Sequence, residues 1–459
     1  MPNSRCPKLL QHWNTLVRTR SERVVLHDCT LDQSYTFAQI ETLIQVTIEQ
    51  LQSQFSVPNT PLSGRKISFC LPNGAAWLAT FLAILRLDAI AIPFDPGLTS
   101  AQQAEKAEEL QCSLHLSRHG LVVKPYATDS LPDLILGKLT SGSTGKAKVL
   151  LFNEAQMIAD CEQVCRTMSI MAGDSHHALI PFGHSYGLGN LVFPAILFGT
   201  RIVCGSSAFP HILAGEIARH RPTVFPGIPT LIRALAHSTI AKEQLSSLKT
   251  VISAGSLLNR EIAIRFTERF DLPVHAFYGS SETGGICFDR SGTGAAKVQG
   301  FVGPPLEGVH IEIDETQQIV VSSAAVYTHY NPTVVKGQGK HRLADCGHWQ
   351  PEGLVLTGRV KGFAKIGAKR IDLNALEKTL LSIEEINAVQ LTVAEDRKRG
   401  EDHITAYLGS TTSLEMLKSL ISAKIPKWQI PKTLKRVAAF TYDQRGKINL
   451  SQQRVEERN

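Results

Sequence analysis

Paired cysteine motifs are absent from this sequence. Nine cysteines are scattered from Cys6 to Cys346 over 459 residues, and none forms a CxxC pair. Cys161 and Cys165 stand one helical turn apart, but no His or Cys close in sequence completes a metal set around them. Such an odd, dispersed set is expected to be reduced thiol in a cytoplasm, not a zinc or disulfide framework. Long apolar runs are missing as well. The most apolar stretch, Trp77 to Phe94, is broken by Arg86 and Asp88, the pattern of a buried helix running into a strand rather than a membrane span. Met1 to Leu10 shows no apolar signal core with a small-residue cleavage site, so no secretory leader is expected there. Excess charge of one sign is also scarce. Lys and Arg number 48 against 41 Asp and Glu, a balance of +7, too mild to argue for nucleic acid. There is no internal repeat or low-complexity tract, and 43% hydrophobic with 19% charged residues is a globular composition.

What is present is an alternation of helix and strand patterns. Helical spacing covers Phe37 to Leu51, Ala75 to Leu87, Glu154 to Met168, Gly189 to Leu197, Phe209 to Arg219 and Thr230 to Ala236. Strand patterns fall at Lys66 to Leu71, Ala89 to Phe94, Ala178 to Pro181, Arg201 to Cys204, Thr223 to Phe225 and Thr250 to Ala254. From about Val302 the pattern turns β-rich, with strands at Val309 to Ile313, Gln318 to Ser322 and Leu354 to Thr357. A separate unit then reads as strand, helix (Leu373 to Leu381), two strands (Ala388 to Ala394, His403 to Leu408) and helix (Ser413 to Ile425). The expected fold is α/β. A large N-terminal domain, residues 1–358, has mostly parallel sheets with covering helices plus a β-rich subdomain. A small α+β C-terminal domain, residues 359–459, follows on a hinge. His176 and His177 are expected at the surface.

Two strings carry chemistry. Thr140-Ser141-Gly142-Ser143-Thr144-Gly145-Lys146-Ala147-Lys148 concentrates hydroxyls, glycines and lysines. Glycines let backbone N–H groups approach phosphate oxygens, hydroxyls donate further bonds, and lysine neutralises charge. A Walker A loop is excluded, because Thr140 and Ala147 stand where that motif needs Gly and Ser or Thr; a polar surface turn is the bland alternative. The second string is Tyr278-Gly279-Ser280-Ser281-Glu282-Thr283-Gly284, fed by a strand-like run from Val274. It presents an aromatic and a carboxylate at a strand's C-terminal end, where ligands gather in α/β folds. A carboxylate facing a phosphate loop is suited to hold Mg²⁺.

Together these strings resemble the adenylate-forming superfamily of acyl- and aryl-CoA synthetases, luciferases and peptide-synthetase adenylation domains. Further segments are similar in the right order over nearly the whole chain: Leu71-Pro72-Asn73 with Ala89 to Pro96, Pro181 to Gly187 (PFGHSYG), Ser253 to Leu257, Asp345, Gly358-Arg359, Lys365 to Glu377, and Arg445-Gly446-Lys447. The resemblance implies ATP-dependent activation of a carboxylic acid as an acyl-adenylate, then transfer to CoA or a carrier-protein phosphopantetheine. It implies that the loop Thr140 to Gly145 with Lys148 holds the phosphates, and that Glu282, with Thr144, ligates Mg²⁺. Tyr278 and Gly279 would meet adenine, with Gly255, Ser256 and Ser281 lining its pocket. Asp345 and Arg359 would take the ribose. Lys447 would be the catalytic lysine at the α-phosphate, Lys361 the hinge, and His184 the gate between acyl pocket and thiol tunnel. Ser185 stands where amino-acid-activating members carry aspartate, which favours a fatty, aryl or other simple acid.

The chain departs from the family pattern at Ala147, Val149, Leu343-Ala344 and Ala368, and is short between Gly285 and Asp345. No departure removes a charged catalytic group. They leave two alternatives open: an adenylating enzyme with a non-thiol second step, and an adenylate-binding protein without turnover. The mild positive charge is also localised. Residues 360–459 hold 18 Lys and Arg against 12 Asp and Glu, the remainder 30 against 29. The excess, including Arg397-Lys398-Arg399, Lys432 and Lys435-Arg436, is either a solvated face or a surface for an anionic thiol donor, CoA or an acidic carrier protein.

Overall fold

The computed structural model describes residues 8–55, 62–124, 133–140, 148–315, 317–327, 329–331, 339–359, 363–366, 369–396 and 401–437. They fall into two compact units divided between Gly358 and Arg359.

The larger unit is built on three sheets. The first has eight strands in the order Gly284–Phe288, Val274–Ser280, Thr250–Ser253, Val224–Gly227, Ser175–Ala178, Arg201–Cys204, Val24–Asp28 and Gln33–Thr36. Its six central strands are parallel, and antiparallel pairs close both edges. The second has seven strands, with Lys66–Cys70 and Ile90–Pro93 parallel at its centre. A five-stranded sheet runs from Phe301–Gly303 to His310–Ile313. The observed α/β class, with parallel sheets under helices and a β-rich part after them, is the one expected. One large core joins the first two sheets through residues such as Trp13, Trp77, Phe81, Phe182 and Phe193, all buried.

The helix Ala75–Arg86 forms because ten of its twelve residues are apolar or small and are buried. Helix Glu154–Thr167 starts on a reciprocal cap, in which Asn153 Oδ1 accepts from Gln156 N–H and Gln156 Oε1 accepts from Asn153 N–H. The smaller unit pairs a hairpin (Phe363–Ile366 with Lys369–Asp372) and a three-stranded sheet with helices Leu373–Leu381 and Leu414–Lys424. It has its own core around Ile371, Leu380, Ile404 and Leu417.

Three local readings change. His176 and His177 lie not at the surface but in the middle of the eight-stranded sheet, both fully buried on the strand Ser175–Ala178. A central parallel strand is covered on both faces, so its polar letters do not mean exposure. That strand also ends before Pro181, placed by its pairing with Arg201–Cys204. The helix expected over Gly189 to Leu197 is a wide π-type turn, Leu188–Val192, followed by Phe193–Phe198. Pro194 has no N–H to give to the turn before it, and Phe193 N–H reaches back to Leu188 O.

Candidate active site

The strand Val274–Ser280 delivers the second motif. Parallel pairing sets Ser253 opposite Ala276, so residues 254–256 leave their own strand beside Tyr278. A register shift between Tyr278 and Gly279 then turns the chain. Tyr278 is buried, and its hydroxyl donates to Asp345 Oδ2 at 2.8 Å. Asp345 comes from the strand Lys340–Gln350 and is buried too. The buried hydroxyls Ser253 Oγ and Ser256 Oγ have no hydrogen-bond partner among the described residues. In the following turn Ser280 Oγ accepts from the N–H groups of Glu282 and Thr283, both at 3.2 Å. Glu282 O accepts from Tyr327 N–H at 3.0 Å. Ser281 and Glu282 are thereby left half-exposed on a turn whose backbone is fixed.

Behind this turn lie two buried ionisable groups that reasoning from the sequence missed. Asp160, on helix Glu154–Thr167, accepts through Oδ1 from Gly285 N–H at 2.9 Å. Gly284 has φ +72°, and a Cβ there would lie 2.2 Å from the same oxygen, so only glycine fits. Lys138 stands two residues before Thr140 on the strand Leu134–Thr140, its ammonium 4.2 Å from the centre of the Phe152 ring. Burial pushes the Lys138 ammonium down and the Asp160 carboxyl up, and their mutual attraction opposes both shifts. Glu282 adds to the field that favours charged Lys138. A signal existed for both: a lysine inside the apolar run Leu134 to Leu139, and an aspartate on the same helix face as Met157, Cys161 and Val164.

The loop Pro181–Gly187 is held by Asn73, which donates to Ile180 O and accepts from Phe182 N–H, both at 2.8 Å. Two separately noted segments thus meet. Gly187 packs so closely that a Cβ would be 2.1 Å from Pro181 O, which explains the glycine ending PFGHSYG. His184 Nε2 lies 3.3 Å from Asp95 Oδ2, with both side chains about a quarter exposed. Tyr186 packs on Phe277 with ring centres 5.8 Å apart and donates to Gly227 O at 3.3 Å. Through Tyr186 the His184 loop adjoins the strand that carries Tyr278.

Not every candidate residue can be placed. Ser141, Gly142, Ser143, Thr144, Gly145, Lys361 and Lys447 lie outside the described residues. Thr140 and Lys148 face each other in the antiparallel pair that flanks residues 141–147, and Arg359 ends the strand Gly353–Arg359. Their side chains lie outside the described set.

A family model for the AMP-binding enzymes matches residues 129–325, the span that contains both chemistry-bearing strings. Over that span the chain is similar to AMP-binding enzymes. A feruloyl-CoA synthase from Amycolatopsis sp. is 25% identical over 60% of this chain, and the match spans 61% of that protein's length. An uncharacterised acyl–CoA ligase from Bacillus subtilis (strain 168) is 26% identical over 91% of this chain and 89% of its own. Among solved structures, a double mutant of o-succinylbenzoate CoA synthetase from Bacillus subtilis superposes with a TM-score of 0.82. It is 20% identical and covers 96% of this chain and 97% of its own. That likeness shows that the present chain shares the fold of this synthetase. No helix among the described residues is long and apolar enough to cross a membrane.

Proposed function

We propose that this protein is an adenylate-forming enzyme, an AMP-forming acid–thiol ligase acting on a fatty, aryl or similar simple carboxylic acid. The acid's oxygen attacks the α-phosphorus of ATP, pyrophosphate leaves, and an acyl-adenylate remains. A thiol then attacks the acyl carbon and expels AMP, giving a thioester. The acceptor thiol is that of CoA or of a carrier-protein phosphopantetheine.

One observation carries the reading: Tyr278 and Asp345, 67 positions apart, meet through a 2.8 Å hydrogen bond at the strand end where Ser253 Oγ and Ser256 Oγ offer buried, unmatched hydrogen-bonding capacity. These groups fit adenosine. The aromatic ring gives a face for the base, the small residues 254–256 leave room beside it, and Asp345 can accept from ribose hydroxyls. Glu282, presented by a fixed turn, fits a magnesium ion, which needs only one or two carboxylates when phosphates supply further oxygens. When bound, the ion offsets charge on the phosphates. Around it the chain would work by positioning and charge. The loop Thr140 to Gly145 and Lys148 would hold the leaving phosphates. Arg359 would steady the ribose, and Lys447 would bridge substrate carboxylate and α-phosphate. His184, oriented by Asp95, would gate the thiol's approach.

The smaller unit would act as a lid turning at Lys361, bringing Lys447 in for the first half-reaction and removing it for the second. Its excess of basic residues would attract the anionic thiol donor. Substrate-dependent ATP–pyrophosphate exchange over a library of carboxylic acids tests the proposal. Exchange with at least one acid, lost in Lys447→Ala, is expected. Exchange undiminished in Lys447→Ala would remove that residue's role, and no exchange with any acid would leave an adenylate-binding protein. Exchange without a thioester on either CoA or a pantetheinylated carrier would point to a non-thiol second step.

A further inference from the structure

Away from this site, three side chains with metal-binding chemistry converge at an edge of the eight-stranded sheet. His27 lies near the end of the strand Val24–Asp28, Cys29 just beyond it, and His220 is the last residue of helix Pro210–His220. One ligand atom from each lies within 4.8 Å of the others. The pairing of Val24–Asp28 with Arg201–Cys204 fixes the approach, and Cys29 N–H donates to Cys204 O at 2.9 Å.

We propose that His27, Cys29 and His220 form a binding site for a divalent transition-metal ion of the Zn²⁺ type. The decisive feature is His27. Its Nδ1 is 2.9 Å from Ser34 Oγ across the antiparallel edge pair. Its buried Nε2 has no hydrogen-bond partner among the described residues. An Nδ1–H donated to Ser34 leaves the Nε2 lone pair for a metal, the orientation that an outer-shell partner usually gives a ligating histidine. Two imidazoles and a thiolate are a ligand set that suits Zn²⁺, with a fourth position left open. Asp32 borders that position, with Oδ1 3.7 Å from His27 Nε2. It follows a tight turn in which Asp28 Oδ1 accepts from the N–H groups of Thr30 and Leu31, and Asp32 Oδ2 accepts from Arg219 Nη2 at 3.0 Å.

The electrostatics are mixed. Arg219 and Arg201 oppose a cation, whereas Asp28, Asp32 and Glu216 attract one. The carbonyl end of helix Pro210–His220 also points negative charge at the position beside His220. Zinc would draw donors now up to 4.8 Å apart to about 3.3–3.6 Å, as tetrahedral bonds of about 2.0–2.3 Å require. His220, half-exposed at a helix end, can make that movement. Binding would release the thiol proton and tie the edge hairpin to the helix. No spacing motif announces such a site, because residue 220 is remote in sequence from 27 and 29.

Metal-stripped full-length protein, titrated with Co²⁺ and with Zn²⁺ against a chromophoric chelator, tests the assignment. One equivalent of Co²⁺ per chain with a thiolate-to-cobalt charge-transfer band is expected, displaced by Zn²⁺. His220→Asn and Cys29→Ser should each weaken binding more than about 100-fold, and Ser34→Ala by about 10–100-fold. The controls His237→Gln and Cys70→Ser should leave it unchanged. His220→Asn alters a helix-end side chain, so a circular-dichroism melt near that of the parent will separate metal loss from misfolding. Uptake below one equivalent, no charge-transfer band, or unchanged affinity in a folded His220→Asn variant would overturn the proposal.

Discussion

Polar groups inside the large sheets and polar groups at the ends of the same strands behave differently, although the residue types are alike. Inside, His176 and His177 are fully buried, and His177 Nε2 lies 3.0 Å from Glu216 Oε2. Lys138 and Asp160 are buried between strand and helix. At the strand ends, His184 with Asp95 and the turn bearing Glu282 remain open to solvent. Interior groups are fixed by burial, so their loss falls on stability. Groups at the strand ends are fixed by short turns and keep capacity for a ligand, so their loss should fall on binding and turnover.

The sharpest way to break this contrast is Asp160→Ala. It removes the larger of the two carboxylate fields on the buried Lys138, leaving that of Glu282, and leaves the Gly285 N–H without its acceptor. A loss of about 3–5 kcal/mol in urea unfolding is expected. Gly284→Ala should destabilise too, through its positive φ and its clash with Asp160. The double variant Lys138→Met, Asp160→Asn removes the charges but keeps an acceptor for Gly285, and should recover much of the loss. A cost below about 1 kcal/mol for Asp160→Ala would show that no charge is held there.

The next effect is a pH dependence. Burial pushes the His176 imidazole down to about 4, with Asp174 opposing. Its folded value is thus depressed below the usual 6.5 or so. The unfolded chain takes up a proton first as pH falls, so stability is fully present above about pH 6.5 and is lost progressively towards pH 4. The size is about 3 kcal/mol. His115, also held down by burial, contributes with the same sign. Comparison with His176→Leu isolates the larger part, and an unchanged acid limb in that variant would remove it.

At the strand end, Tyr278→Phe keeps the ring and removes one hydrogen bond to Asp345. A stability change of about 1 kcal/mol is expected. The larger consequence should be a rise of about 5–10-fold in the KM for ATP, the equivalent of about 1–1.4 kcal/mol. An unchanged KM would place the adenosine elsewhere.

How much of this was legible beforehand depended on whether the information is local. Helix Leu373–Leu381 was read with its observed ends, because an apolar stripe and a flanking strand define it within a few residues. Tyr278, Glu282 and Asp345 stood out by motif, yet the contact of Tyr278 with Asp345 did not, because it joins the eight-stranded sheet to a strand of the separate five-stranded sheet. The strand Ser175–Ala178 was misplaced, since two histidines conceal a core segment whose burial is decided by neighbours on both faces. Lys138 and Asp160 were passed over for the same reason. An ionisable residue in an apolar run is an anomaly in sequence, and only packing tells whether it is a defect or a paired group. His27, Cys29 and His220 are the extreme case, brought together by a strand and a helix end far apart in the chain.

His184 gives the smallest expected change in stability and the most selective one in function. Its contact with Asp95 is partly solvated, and exposed pairs of this kind contribute about 1 kcal/mol or less. The loop does not depend on it, because Asn73 holds residues 180–182 and Gly187 packs on Pro181. His184→Ala should therefore melt close to the parent. If the gate role is correct, ATP–pyrophosphate exchange should stay within about twofold, while thioester formation falls by at least about tenfold, an effect smaller than a full acid–base contribution. Asp95→Asn should reproduce the split more weakly, because it frees the imidazole without removing it. Equal losses in both half-reactions would place His184 in the adenylation step instead. A large drop in melting temperature would move it to the interior class, beside His177.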